Sequence, residues 1–252
     1  MAATPSGKDK LQKYTRLYLA EFDLSGDSRT FSEAIAAHDD VDMTGWSDLV
    51  MNGLADRLQV GLTGYQAIMN PAAAGAFTQL SAGTSSPILS LCFGGGGAPA
   101  AGDPAYLLPA VQLSGVTGPS SRTNVITADF NLDQSQVSDS FTFPFGYVLN
   151  GDTSLTTTTN GTSVDLYAAG TTGFTAHLHI IASSGGSWAF TIEQSSDDGS
   201  GDAFATLGTF TADGSAVTSE SLTGASTVEQ YVRFVATRTS GTVTAVCTFV
   251  RN

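Results

Sequence analysis

The sequence predicts a mainly β protein. Its first part is a β-sandwich or barrel domain of the tube type with one or two short helices, followed by a smaller C-terminal β-sandwich domain. Three observations point there. Short apolar, β-branched or aromatic runs alternate with Gly, Ser, Thr, Asp and Pro clusters along most of the chain. In the second half the runs alternate strictly between apolar and polar positions, the period of a strand with one buried face. Continuous helical patterns are few, while 41% hydrophobic residues and 14 Phe supply ample material for a core.

Taken in order, strands are predicted at 14–24, 39–45, 55–65, 87–93, 105–113, 123–132 and 139–149. Further strands are predicted at 163–168, 174–183, 187–194, 203–211, 215–222, 227–238 and 243–251. Phe174, Ala176, Leu178, Ile180 and Ala182 share one face, and Thr175, His177, His179 and Ile181 the other. The core phase continues through Trp188, Phe190 and Ile192. Gly185-Gly186 offers the positive φ of a hairpin between these two runs. Thr239-Ser240-Gly241 does the same for Val232, Phe234 and Ala236 followed by Val243, Ala245, Cys247 and Phe249. Helix signals are limited to Thr30–Ala37, with Thr30 and Glu33 spaced as a capping box, to 45–52, and to Ala72–Leu80 interrupted by Gly75. The organisation expected is a flexible basic arm at 1–13, a β domain at 14–150, a polar linker at 151–161 and the C-terminal sandwich at 162–252. Gly94–Gly102 reads as an exposed loop.

Charge is sparse and lopsided. Only 13% of residues are charged, against about 25% in an ordinary domain. All three lysines, Lys8, Lys10 and Lys13, lie in the arm, and residues 14–252 carry seven Arg against 22 acidic groups. Such a body is a poor binder of DNA or of an anionic membrane, because phosphate contacts need Lys and Arg. No apolar run reaches the roughly 18 residues of a membrane helix, and the N-terminus has no secretory apolar segment. Cys92 and Cys247 each sit in an apolar run and read as buried free thiols.

Chemical motifs are weak. The glycines at 94–97 lack the Lys and the helix of a phosphate loop. His177-x-His179 has chelating spacing, but His38 is the remaining histidine, so solvent-facing or interface histidines are the plainer reading. Asp197–Asp202 does not follow the order of a Ca²⁺ loop and reads as an acidic turn, as does Asp39–Asp42. No nucleophile is marked by its neighbours. The expectation is a non-enzymatic protein without catalytic residues, metal or cofactor. Trp188 is expected in the core. Trp46 and the three arm lysines are the candidates for subunit contacts.

Val41-Asp42-Met43-Thr44-Gly45, followed by Asn52-Gly53-Leu54-Ala55-Asp56-Arg57 through Gly64-Tyr65, resembles the major tail (tail tube) proteins of long-tailed bacteriophages. In that family an apolar-Asp-x-Thr strand and a loop precede a Gly-Leu turn and an alternating strand. This chain has Asn52 where the family often has Pro, and Ser47–Met51 lacks the family's basic residues. The stretch from His177-Leu178-His179 to Tyr231-Val232-Arg233-Phe234 resembles β-sandwich modules appended to phage virion proteins. The resemblance implies a tail tube subunit that self-assembles into hexameric rings, stacked around a channel for passing DNA. It also implies contact with other virion tail proteins, residence in the virion tail and assembly in the host cytoplasm. An acidic channel wall would let DNA slide without phosphate contacts. Two rivals fit the same composition. One is a capsid decoration or cement protein gripping with the arm. The other is a carbohydrate-binding β-sandwich module using Trp46 or the loops near 197–202.

Overall fold

A computed structural model describes residues 14–42, 53–81, 87–122, 125–134 and 144–252. In chain order the elements are β1 (Thr15–Leu19), β2 (Phe22–Asp23), β3 (Ser28–Thr30), β4 (Glu33–Asp42), β5 (Gly53–Ile68), α1 (Ala76–Ser81), β6 (Leu89–Phe93) and β7 (Pro104–Leu108). There follow β8 (Val111–Arg122), β9 (Val125–Gln134), β10 (Phe145–Leu155), β11 (Thr159–Asn160), β12 (Val164–Asp165), β13 (Phe174–Ser195), β14 (Ala205–Thr209), β15 (Thr218–Gly224) and β16 (Tyr231–Arg251). The protein is mainly β, as the sequence predicts. One sheet runs β14-β13-β16-β10-β7-β6-β1-β2, with β11 and β12 also on β16 and β15 on β13. The other runs β3-β5-β9-β8, with β4 on β5.

The two longest strands organise the C-terminal region. They pair antiparallel from Phe174↔Arg251 to Ser195↔Tyr231. Their first stretch, at 174–180, also pairs β13 with β15; their second, at 191–194, pairs it with β14. Between the stretches Gly186 faces Gly241, and both have positive φ, 126° and 73°. A Cβ on Gly241 would collide with the Gly185 carbonyl, and one on Gly186 with that of Ser240. Only paired glycines let the ribbon bend there. The bend folds the ribbon on itself, and the inner faces of both halves share one core. Phe174 stacks on Phe249 with centroids 5.5 Å apart, and Phe190 stacks on Phe234 at 5.9 Å and on Trp188 at 6.1 Å.

The strands then stack in further layers. β1, β6 and β7 turn Tyr18, Cys92, Ala105 and Leu107 toward Val148, Val246 and Val250 of the β10/β16 layer. Their opposite face gives Leu17, Leu19, Leu89, Leu91, Tyr106 and Leu108 to a second large core, against Leu62, Tyr65, Phe130 and Leu132 of the other sheet. The Tyr106 hydroxyl ties the layers, 2.7 Å from the Ile35 carbonyl and 2.8 Å from that of Gly61. Runs such as Leu89–Phe93 are buried along almost their whole length because both faces are covered.

Several expectations are corrected. The two expected hairpins, at 185–186 and 239–241, are absent: each lies inside one continuous strand, and the two are the facing halves of the ribbon's bend. A positive-φ glycine pair serves a turn or a kink equally well, and long-range pairing decides between them. Thr30–Ala37 is extended rather than helical, because β4 pairs with β5 from Glu33↔Thr63 onward, which outweighs a weak capping signal. Asp39–Asp42 continues that strand instead of forming a turn. The helix expected over Ala72–Leu80 begins only at Ala76, beyond Gly75, where Asp27 Oδ2 accepts the Ala76 amide at 2.9 Å. Of the segment expected as a linker, 151–155 completes β10 and Thr159–Asn160 forms β11, both paired with β16.

Candidate functional site

The face of β13 opposite its aromatic core carries His177 and His179, and neither is exposed to solvent. They are not solvent-facing, because β1 and β6 cover them, and no third metal-ligating side chain joins them among the described residues. Ser90 of β6 sits between them. The His179 Nδ1–H donates to the Ala20 carbonyl at 2.6 Å, which makes Nε2 the acceptor of the Ser90 hydroxyl at 2.9 Å. Ser90 Oγ is in turn 2.9 Å from Thr248 Oγ1 and 3.2 Å from His177 Nδ1. One serine thus uses its donor and both lone pairs. The Nε2 of His177, the Tyr18 hydroxyl and Arg16 Nε have no hydrogen-bond partner among the described residues. Burial holds the His177 pKa down to about 3, with His179 beside it adding to the effect, and holds His179 down to about 4. Both rings are therefore neutral. Burial likewise pushes the Tyr18 hydroxyl and the Cys92 and Cys247 thiols well above their ordinary ranges. The two thiols are free and buried, as the sequence predicts. A Ser–His contact sealed from solvent offers a substrate no approach, so this cluster reads as a polar joint between layers.

The remaining chemistry-bearing residues resolve into structure. Asp197 accepts the backbone amides of Ser200, Gly201 and Asp202 at 3.0, 2.6 and 3.0 Å, and these bonds hold its carboxyl below the usual range. Its acidic loop is a self-capped turn. No group of three or more His, Cys, Asp or Glu suited to a metal occurs among the described residues. Trp188 is in the core, as expected. Lys8, Lys10, Lys13 and Trp46 lie outside the described residues, as does the 45–52 segment. No helix among the described residues is long and apolar enough to cross a membrane.

Two features suit contact with other chains. The β3-β5-β9-β8 sheet leaves the outer edges of β4 and β8 without a strand partner among the described residues, apart from the Val111 amide at the start of β8, which donates to the Pro87 carbonyl at 2.9 Å. An unpaired edge is a template for another strand. In addition, Val116 is opposite Phe130 and Leu113 opposite Leu132, so both lie on the core-facing side of that sheet. They remain 55% and 38% exposed, and Ile126 is 54% exposed. The apolar face thus runs on past its cover. Sequence reasoning missed this strip, because alternation marks a face as apolar without saying how far the opposing layer extends.

No family model matches the chain, and no curated protein matches it. Among solved structures, the sheath/tube terminator of an extracellular contractile injection system (PVC, extended state) aligns at 8% identity. That alignment covers 55% of this chain and 98% of the terminator, with a TM-score of 0.39. The SPP1 Dit protein, a hub adsorption apparatus component of phages infecting Gram-positive hosts, aligns at 11% identity. It covers 94% of this chain and 99% of Dit, with a TM-score of 0.32. At such scores the likeness carries no assignment of function.

Proposed function

We propose that this chain is a structural subunit of a phage tail that self-associates through its smaller sheet. The observation that carries the reading is the pair of open edges, β4 and β8, flanked by the uncovered Leu113, Val116 and Ile126. Edges of one copy pairing with those of the next form a head-to-tail contact, which closes into a ring when the rotation permits. The described residues of the 41–65 motif, 41–42 and 53–65, lie on β4 and β5 of this same sheet, in keeping with the tail tube resemblance. In this reading residues 14–150 build the ring, the region from 162 projects outward, and the lysine arm and Trp46 contact neighbouring subunits or other tail proteins. Six copies per ring, stacked around DNA that passes without binding, complete the proposal; assembly takes place in the host cytoplasm and the product resides in the virion tail. The Ser–His joint, closed to any substrate, supports a non-enzymatic role.

Negative-stain microscopy and light scattering of the purified protein test this. Rings or tubes are expected, and Val116→Glu with Ile126→Glu should yield monomers with an unchanged melting temperature. A wild type that stays monomeric up to high concentration overturns the proposal.

A further inference from the structure

The outer face of the folded ribbon carries a second kind of surface. Tyr167 follows β12 with its side chain 80% exposed and a φ of 66°, a conformation that a bulky residue rarely adopts. Its amide donates to Asp165 Oδ1 at 2.7 Å, and the same oxygen accepts Gln230 Nε2 at 3.0 Å. Gln230 Nε2 also lies 3.3 Å from the Tyr231 hydroxyl. Asp165 pairs directly with Tyr231, and Glu193 with Arg233, so these four side chains share the outer face. Glu193 Oε2 accepts from Arg233 Nε at 2.9 Å and Nη2 at 2.6 Å, and the guanidinium lies 4.0 Å over the Phe204 ring. The result is a row of planar polar groups fixed by mutual hydrogen bonds, beside an aromatic ring held in solvent at a backbone cost.

We propose that this face binds a neutral oligosaccharide. The Tyr167 ring stacks on the apolar face of a sugar, while Asp165, Gln230 and the Glu193–Arg233 pair hydrogen-bond its hydroxyls. A protein partner would call for an apolar patch around Tyr167. The other exposed large apolar side chains among the described residues, Leu113, Val116, Ile126, Phe145 and Val217, lie on other elements. The charge of the surroundings is balanced: the Arg233 guanidinium is already paired with Glu193 and that of Arg251 donates to the Ala168 carbonyl, while Glu229, its carboxyl raised by desolvation and by neighbouring Asp202 and Asp197, adds negative charge nearby, so the face suits a neutral sugar. Tyrosine suits the role because a rigid ring offers contact area at little entropic cost.

The test is an array of neutral and acidic glycans probed with the full chain, followed by calorimetric titration of the tightest neutral oligosaccharide. Tyr167→Ala is expected to weaken binding by at least about tenfold and Tyr167→Phe by no more than about threefold, both with unchanged melting temperature. Binding to no neutral glycan, preference for acidic ones, or undiminished binding by Tyr167→Ala overturns the assignment. Because binding is read whether the protein is monomeric or assembled, either result leaves the ring proposal standing or falling on its own test.

Discussion

Two interlayer joints in this molecule are built on opposite principles. The core inside the folded ribbon is apolar and aromatic, with Phe174, Phe190, Phe234 and Phe249 stacked and Trp188 against them. The joint between β13/β16 and β1/β6 sets a smaller apolar cluster around a hydrogen-bonded centre of Ser90, His177, His179 and Thr248. The first gains stability from area removed from water. The second gains little net energy per bond, and its geometry is demanding because each buried group left unpaired is penalised. The difference teaches that the ribbon is the robust unit, while the polar joint fixes how the next layer sits on it.

Three measurements break or sharpen this contrast. The largest effect is expected from Phe190→Ala, which opens a cavity between two stacked rings; urea unfolding should show a loss of about 3–5 kcal/mol. Gly241→Ala follows at about 3 kcal/mol, since the new Cβ meets the Gly185 carbonyl and the residue must keep a positive φ. A loss below about 1 kcal/mol would show that the bend does not depend on the glycine pair. The most selective effect is that of acid. His177 and His179 have folded pKa values of about 3 and 4, below the ordinary value for an unfolded chain, so between these limits the unfolded state binds more protons. Their contribution leaves stability whole above about pH 6.5 and reduces it progressively as pH falls toward 4. The urea midpoint, followed from pH 7.5 to 4.5, should fall on acidification. His177→Phe should flatten the slope; an unchanged slope would show that His177 is not kept neutral in the fold.

Much of the ribbon was legible in the sequence. The alternation of Phe174–Ile180 and of Trp188, Phe190 and Ile192 identified the inward faces, because that period reflects one local fact, a strand with an apolar side. The histidines were misplaced outward because the same logic assumes the other side faces water. Here it faces Ser90, some 90 positions earlier in the chain, and no local pattern encodes that. The run Leu89–Phe93, with Leu on one face and the small Ser90 and Cys92 on the other, is the signal that hints at a covered sheet. Gly185-Gly186 and Gly241 were recognised as special backbone positions, yet their meaning depended on their facing each other. Tyr167 carried no signal at all, since exposure and strain are properties of the assembled chain.

The pairing of β16 bears on the order of events during synthesis. This strand alone contacts β10, β11, β12 and β13, so four earlier segments wait with unpaired edges until residues 231–251 have emerged from the ribosome. Pairings this distant in sequence close slowly, and open strand edges invite association between chains. The smaller sheet, whose partners all lie within residues 28–134, is free to form earlier. A nascent chain would therefore hold a finished sheet beside an unfinished sandwich, and its exposure to aggregation would be greatest just before β16 emerges.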